Sequence, residues 1–192
     1  MNGLLAIFLS ALFVENVVLM RFLALCSYVG MSGDVKQSTG MGVAVTFVTV
    51  LATAVTWPLY HFVLAPLGLE FLQILAFILI IASLVQLVEF YLKKTAPALY
   101  AAMGIYLPLI TTNCAILAVT FDNITAGYTF IEAIVYSIGV ALGYLLSLWL
   151  LAGIRDRIKT SAVPKFLQGT PILFAATALL AVAFMGFSGL IK

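Results

Sequence analysis

Phe130-Ile131-Glu132-Ala133-Ile134-Val135-Tyr136-Ser137-Ile138-Gly139-Val140-Ala141-Leu142-Gly143-Tyr144-Leu145-Leu146-Ser147-Leu148-Trp149-Leu150-Leu151-Ala152-Gly153-Ile154 holds one charge in 25 residues and stops at Arg155-Asp156-Arg157. As a helix, at about 1.5 Å per residue, it outreaches the roughly 30 Å hydrocarbon core of a bilayer. A membrane barrel would instead show strands of about ten residues alternating polar and apolar. This run is longer and apolar all round, so it predicts a transmembrane helix. Five more stretches read the same way, over about 3–25, 40–64, 69–92, 99–121 and 171–191.

Together they nearly fill the chain. Of its 192 residues 65% are hydrophobic and 8% charged, with mean hydropathy +1.23. A soluble domain has about 45–50% apolar and about 25% charged residues, so a membrane solvent is the consistent reading. No room remains for a soluble catalytic domain or a linker. The net charge of +2 gives no reason to expect nucleic acid. The first stretch has neither a basic leader nor a small-residue cleavage site, and reads as a retained span rather than a signal peptide. The expected architecture is an all-α membrane protein, a single domain over residues 1–192 embedded in lipid, with six transmembrane helices.

Orientation follows from the basic residues. The links after spans one, three and five carry Lys36, Lys93, Lys94, Arg155, Arg157, Lys159 and Lys165, whereas the other side has Lys192 alone. Cytoplasmic links carry the excess of Lys and Arg, which predicts both termini outside a cytoplasmic membrane. His61 then falls near the outer end of span two, as an interfacial side chain rather than a ligand.

Short words recur in the same order in the two halves. Pro66 and then Phe71-Leu72-Gln73 open span three; Pro164 and then Phe166-Leu167-Gln168 open span six. Gly42-Val43-Ala44 in span two matches Gly139-Val140-Ala141 in span five, and Leu25-Cys26 stands where span four has Asn113-Cys114. Three spans per half start the second half on the opposite side. That predicts two inverted three-helix repeats, about 3–92 and 99–191, whose equivalent residues approach near the midplane.

Cys26 and Cys114 are the first candidates for chemistry. Cysteine also serves as a small apolar filler, and both readings stand on the residues alone. Zinc takes four protein ligands, or three plus water, and an iron–sulfur cluster takes four thiolates. Two cysteines are half a site, so a cluster would need a second chain. Ahead of Cys114, Pro108 withdraws a backbone donor, while Thr111, Thr112 and Asn113 can satisfy freed backbone groups. Span four is either kinked or broken there. In span one a continuous helix would carry Cys26 to the cytoplasmic end, so midplane placement requires unwinding. The expectation is that spans one and four break near the cysteines.

The intramembrane acids are the second group. Glu15, beside Asn16, lies about halfway along span one; it is a candidate for an ion path or for a polar contact with a neighbouring subunit. Arg21, six residues on, does not share its helix face, and no partner for Glu15 is evident. Glu89 and Glu132 read as interfacial. The small residues of 40–42 and 139–143 read as helix-packing surfaces, and no dinucleotide fingerprint is present.

Three longer motifs carry a resemblance. Phe13-Val14-Glu15-Asn16-Val17-Val18-Leu19-Met20 with Leu25-Cys26, Gly104-Ile105-Tyr106-Leu107-Pro108-Leu109-Ile110-Thr111-Thr112-Asn113-Cys114, and Phe184-Met185-Gly186-Phe187-Ser188-Gly189-Leu190 resemble the A-type subunits of Rnf electron-transport complexes. The superfamily also includes the E-type subunit of the sodium-pumping NADH:quinone reductase, which remains an alternative. The likeness covers essentially the whole chain. Ala24 stands where that family commonly has glycine, and Ser27 where it commonly has proline.

The resemblance implies a membrane component, not catalytic alone, of a bacterial or archaeal translocase that moves electrons between ferredoxin and NAD and couples this to Na+ or H+ transport. It implies a homologous E-type Rnf partner of opposite orientation alongside the other Rnf subunits. It also implies a [2Fe–2S] cluster shared with that E-type partner, with Cys26 and Cys114 as this chain's iron ligands, and flavin and NAD bound elsewhere. A secondary transporter or channel component with inverted repeats, and a passive assembly component, are the competing readings.

Overall fold

In the computed structural model, the described residues are 3–68, 70–95, 110, 113–161, 164 and 167–186. They contain helices and turns and no strand. The first stretch is three helical pieces: α1 (Gly3–Leu9) continuing as a π-helix over Ser10–Val14, then α2 (Val17–Arg21) and α3 (Leu25–Met31). Next come α4 (Val35–Leu59), extended by a π-helix at Tyr60–Leu64, and α5 (Gln73–Thr95). The second part has α6 (Cys114–Thr125), α7 (Phe130–Lys159) and α8 (Thr170–Met185). Three of these elements are long and apolar enough to cross a membrane, over Val35–Leu64, Gln73–Phe90 and Phe130–Lys159. The remaining apolar helices are shorter, and Pro108 lies outside the described residues.

Side-chain contacts fix the directions. Gly139 of α7 faces Phe8 and Ala11, Asn16 bonds Gly143 and Ser147, and Arg155 Nη1 donates to Val29 O and Ser32 Oγ. The first stretch therefore runs parallel to α7. Helix α4 runs against both: Thr39 receives the Trp149 Nε1 donor, Thr53 meets Ser137 at 2.7 Å, and Trp57 Nε1 donates to Tyr128 O. The core lies among these elements, around Tyr28, Met41, Ile116, Tyr144 and Leu148, all at most 1% exposed. Helix α5 lies at the periphery. It turns Phe77, Ile81 and Val85, spaced by one helical turn, inward and leaves Leu75, Leu79 and Leu87 bare, as an apolar solvent permits.

Glycine decides one approach. A Cβ at Gly143 would stand 2.8 Å from the Leu12 carbonyl oxygen, closer than any side chain allows, so the absent side chain lets the first stretch lie directly on α7.

The structure moves several sequence-drawn boundaries. The stretch expected from about residue 40 starts earlier, because α4 begins at Val35. Helix α6 runs on to Thr125, taking in Asp122, which the sequence had assigned to the following link. Its partner, described below, makes the carboxylate tolerable there.

Candidate functional site

Both candidate regions are made by interruptions of the first stretch against α6 and α7. The first interruption is at Glu15 and Asn16. Glu15 closes the π-turn, its N–H donating to Ser10 O at 2.8 Å. Asn16 then restarts the helix as its N-cap, its Oδ1 accepting from the amides of Val18 and Leu19. Its Nδ2 donates to Gly143 O at 2.9 Å and Ser147 Oγ at 2.7 Å. One fully buried amide thus satisfies the orphan N–H groups of a helix start and anchors the break to α7.

The second interruption is at residues 22–24. Phe22 (φ 52) and Ala24 (φ 60) are both left-handed, although neither is glycine. That conformation costs a residue with a Cβ roughly 1–2 kcal/mol. It explains physically why glycine suits the place of Ala24. Immediately after it, Cys26 is the second residue of α3 and is exposed. Cys114 is the first residue of α6 and also exposed. Cys114 therefore stands in a helical first turn; Asn113, itself extended, caps that turn, its Oδ1 accepting from Ala115 N at 3.0 Å.

The Cys26 turn is tied to one side chain of α7. Tyr144, the fifteenth of the thirty residues of α7, has its hydroxyl 2.9 Å from Ser27 Oγ, next to Cys26. Asn113, next to Cys114, has its Nδ2 buried with no partner at hydrogen-bond distance. Cys26 thus belongs to a first turn placed about halfway along α7. Helix first turns present unpaired N–H groups.

Neither cysteine is in a disulfide. Among the described residues no group of three or more His, Cys, Asp and Glu side chains is placed to hold a metal ion. As a donor set for iron and sulfide, the thiols fit in kind and exposure, and they amount to half a set.

The charged region lies nearer the 126–129 link. Arg21 Nη1 on α2 reaches Asp122 Oδ2 on α6 at 2.6 Å. The Tyr136 hydroxyl donates to Glu15 Oε2 at 2.9 Å and lies 3.4 Å from Asp122 Oδ2. Tyr128 packs its ring 5.4 Å from that of Tyr136. Burial, and then the Glu15, Glu132 and Asp122 carboxylates, hold the Tyr128 phenol above its ordinary pKa.

Glu15 therefore has a partner in this chain, contrary to the sequence reading. Arg21 pairs with Asp122 rather than Glu15, as helical spacing argued. Asp122 and Tyr136 were missed. A guanidinium inside a span demands a carboxylate, and that demand was the signal that could have found Asp122. Glu132 closes a capping box with Thr129 at the start of α7. His61 is exposed and stacks on Trp57, ring centroids 4.4 Å apart.

The model of a family described as "Rnf-Nqr subunit, membrane protein" matches residues 4–191. The chain belongs to the Rnf-Nqr subunit family. Among its relatives is the A-type subunit of the Na(+)-translocating ferredoxin:NAD(+) oxidoreductase complex of Acetobacterium woodii, 55% identical over 97% of each chain. The A-type subunit of the ion-translocating oxidoreductase complex of Syntrophotalea carbinolica is 50% identical over 100% of this chain and 99% of its own. The A-type subunit of the proton-translocating ferredoxin:NAD(+) oxidoreductase complex of Clostridium ljungdahlii is 46% identical over the full length of both. The family accounts for the apolar composition and for the absence of a soluble domain among the stretches read above.

Proposed function

We propose that this chain is the A-type subunit of an Rnf-type ferredoxin:NAD oxidoreductase, a non-catalytic membrane component of an ion-translocating complex. Cys26 and Cys114 would supply half the ligands of one [2Fe–2S] cluster, and a homologous E-type subunit of opposite orientation the other half. The observation that carries this reading is the placement of two exposed thiols in helix first turns, one of them tied through Ser27 to Tyr144, halfway along α7. A bound [2Fe–2S] group supplies one-electron transfer. The chain's own contribution is to hold two thiolates at mid-depth and to offer first-turn N–H groups to the negative charge. Exposure supports a shared site, because the missing donors have a face from which to arrive. Flavin and NAD belong to other subunits in this reading.

The coupling ion is named Na+ for one relative and H+ for another. Glu15 is the proposed ion-path residue. Glu15 and Asp122 both meet the Tyr136 phenol, and Asp122 pairs with Arg21; with both carboxylates ionised the set carries one negative charge more than its guanidinium balances, suited to a cation or proton. The proposed orientation puts both termini outside the bacterial cytoplasmic membrane, with two inverted repeats of three spans. Reporter fusions after Lys94 and after Lys159 should then read as cytoplasmic, and a cytoplasmic C-terminus would overturn the orientation.

Serine is a harder ligand and holds iron poorly beside thiolate. Cys26→Ser or Cys114→Ser in the assembled complex should therefore remove the cluster's visible absorption and its paramagnetic resonance signal after reduction. Ferredoxin-to-NAD electron transfer should stop while flavin content stays constant. A full cluster signal in the double serine variant would contradict the proposal.

A further inference from the structure

Where α7 leaves its apolar run at Arg155 and α8 begins at Thr170, the ends of the two helices flank an open cavity of about 320 Å³. We propose that this cavity seats the phosphate headgroup of an acidic phospholipid.

Charge gives the sign of the ligand. Arg155 and Lys159 line the cavity one helical turn apart on α7, and none of its described lining residues is acidic. Arg155 meets neutral partners: its Nη1 donates to Val29 O at 3.2 Å and to Ser32 Oγ at 3.1 Å. Lys159 Nζ lies 3.4 Å from Gly33 O. Asp156 stands 3.8 Å from that ammonium with 82% of its side chain exposed, and so exposed an ion pair is worth little. The cavity therefore keeps close to two positive charges. The opposite wall adds to them. Gly169 precedes α8 without a side-chain cap, and Pro171 has no N–H. The amides of Thr170 and Ile172 thus have no acceptor within the helix, and its positive end faces the cavity beside Gly169 and Ile172.

Depth and shape give the source of the phosphate. The end of a membrane-spanning apolar run, flanked by Arg and Lys, is the level of the lipid headgroups, and basic pockets between spans at that level suit anionic ones. Ile158, Ile172 and Leu173 form the apolar part of the lining, and α8 continues with Phe174 and Leu179 exposed. A free phosphate gains nothing from that surface, whereas a lipid buries its glycerol and first methylenes there. The cavity is separate from both the cysteine turns and the charged network, so the proposal stands apart from the cluster and the ion path.

Native mass spectrometry of the full-length chain in detergent tests it, with phosphatidylglycerol and phosphatidylcholine of identical acyl chains as probes. Phosphatidylglycerol should be retained in preference. Lys159→Gln should lower that preference roughly fivefold, as loss of one cation near a lipid headgroup does, and Arg155→Gln at least as much. Lys159 is exposed at a helix end, so it carries the test by itself if loss of the Arg155 bonds prevents folding. Arg157→Gln, the same charge change outside the lining, should leave the preference intact. Equal retention of the two lipids, or an equal loss in Arg157→Gln, would overturn the site. Inorganic phosphate at millimolar concentration should not displace the lipid; displacement would assign the cavity to a soluble phosphate and overturn the lipid reading.

Discussion

The cysteine turns and the charged network are built from the same first stretch and the same helix α6, yet the charged groups find partners within the chain whereas the thiols are exposed. Arg21 pairs with Asp122 at 2.6 Å and Tyr136 donates to Glu15 at 2.9 Å. Cys26 and Cys114 are exposed and in no disulfide. Cys114 and Asp122 stand eight residues apart on α6, a rise of about 12 Å. The charge network and the Cys114 turn thus share one rigid element. The difference teaches where a partner is needed: in the proposed reading sulfur chemistry waits on a second chain, whereas the polar groups of the charge network find hydrogen-bond partners within this one, because charge at membrane depth is costly to leave alone.

The largest effect that would sharpen this contrast is functional. Glu15→Gln keeps a hydrogen-bonding side chain opposite Tyr136 but removes the charge. It should abolish most ion transport by the complex while leaving cluster content unchanged. Normal pumping in an assembled complex would make Glu15 purely structural and erase the division between the regions.

Next comes Asp122→Asn, which leaves the Arg21 guanidinium unpaired. It should cost on the order of 1–3 kcal/mol, discounted from the fully buried case because Arg21 is nearly half exposed. Adding Arg21→Gln should recover most of that loss, as coupled neighbours do. Thermal unfolding of the purified full-length chain checks both. Equal, additive losses in the two single variants would show that the pair carries no coupling.

The smallest effect lies on the cysteine side. Ala24 holds φ 60, a conformation glycine adopts freely. Ala24→Gly should stabilise the chain by about 0.5–1 kcal/mol, the relief of strain less the entropy gained by the unfolded chain. A destabilised variant would mean the left-handed turn is not what limits this site.

The helical class was legible because length and apolarity are properties of single stretches: the 130–154 run needs no partner to be read. The breaks were legible only in part. Pro108 drew attention to span four, but the interruption at Glu15 and Asn16 has no proline or glycine. It is made by one asparagine side chain reaching Gly143 and Ser147, more than a hundred residues away. Asp122 looked like a link residue because Asn123 and Gly127 follow it, and only its contact with Arg21 shows why a carboxylate is tolerated within α6. Tyr136 and Tyr144 read as ordinary aromatics of an apolar run. Their roles come from which hydroxyls the tertiary fold sets opposite them. The glycine surface at 139–143 was visible from composition, since small residues permit close approach whatever approaches.

The central claim is that this chain carries half a cluster, and it is tested most directly by iron content and paramagnetic resonance of the chain purified alone and as a pair with its homologous E-type partner. The account predicts two irons per pair, a reduced [2Fe–2S] signal that vanishes with either Cys26→Ser or Cys114→Ser, and little iron in the chain alone. A stoichiometric cluster in the chain alone, or a pair whose signal survives both serine substitutions, would contradict it.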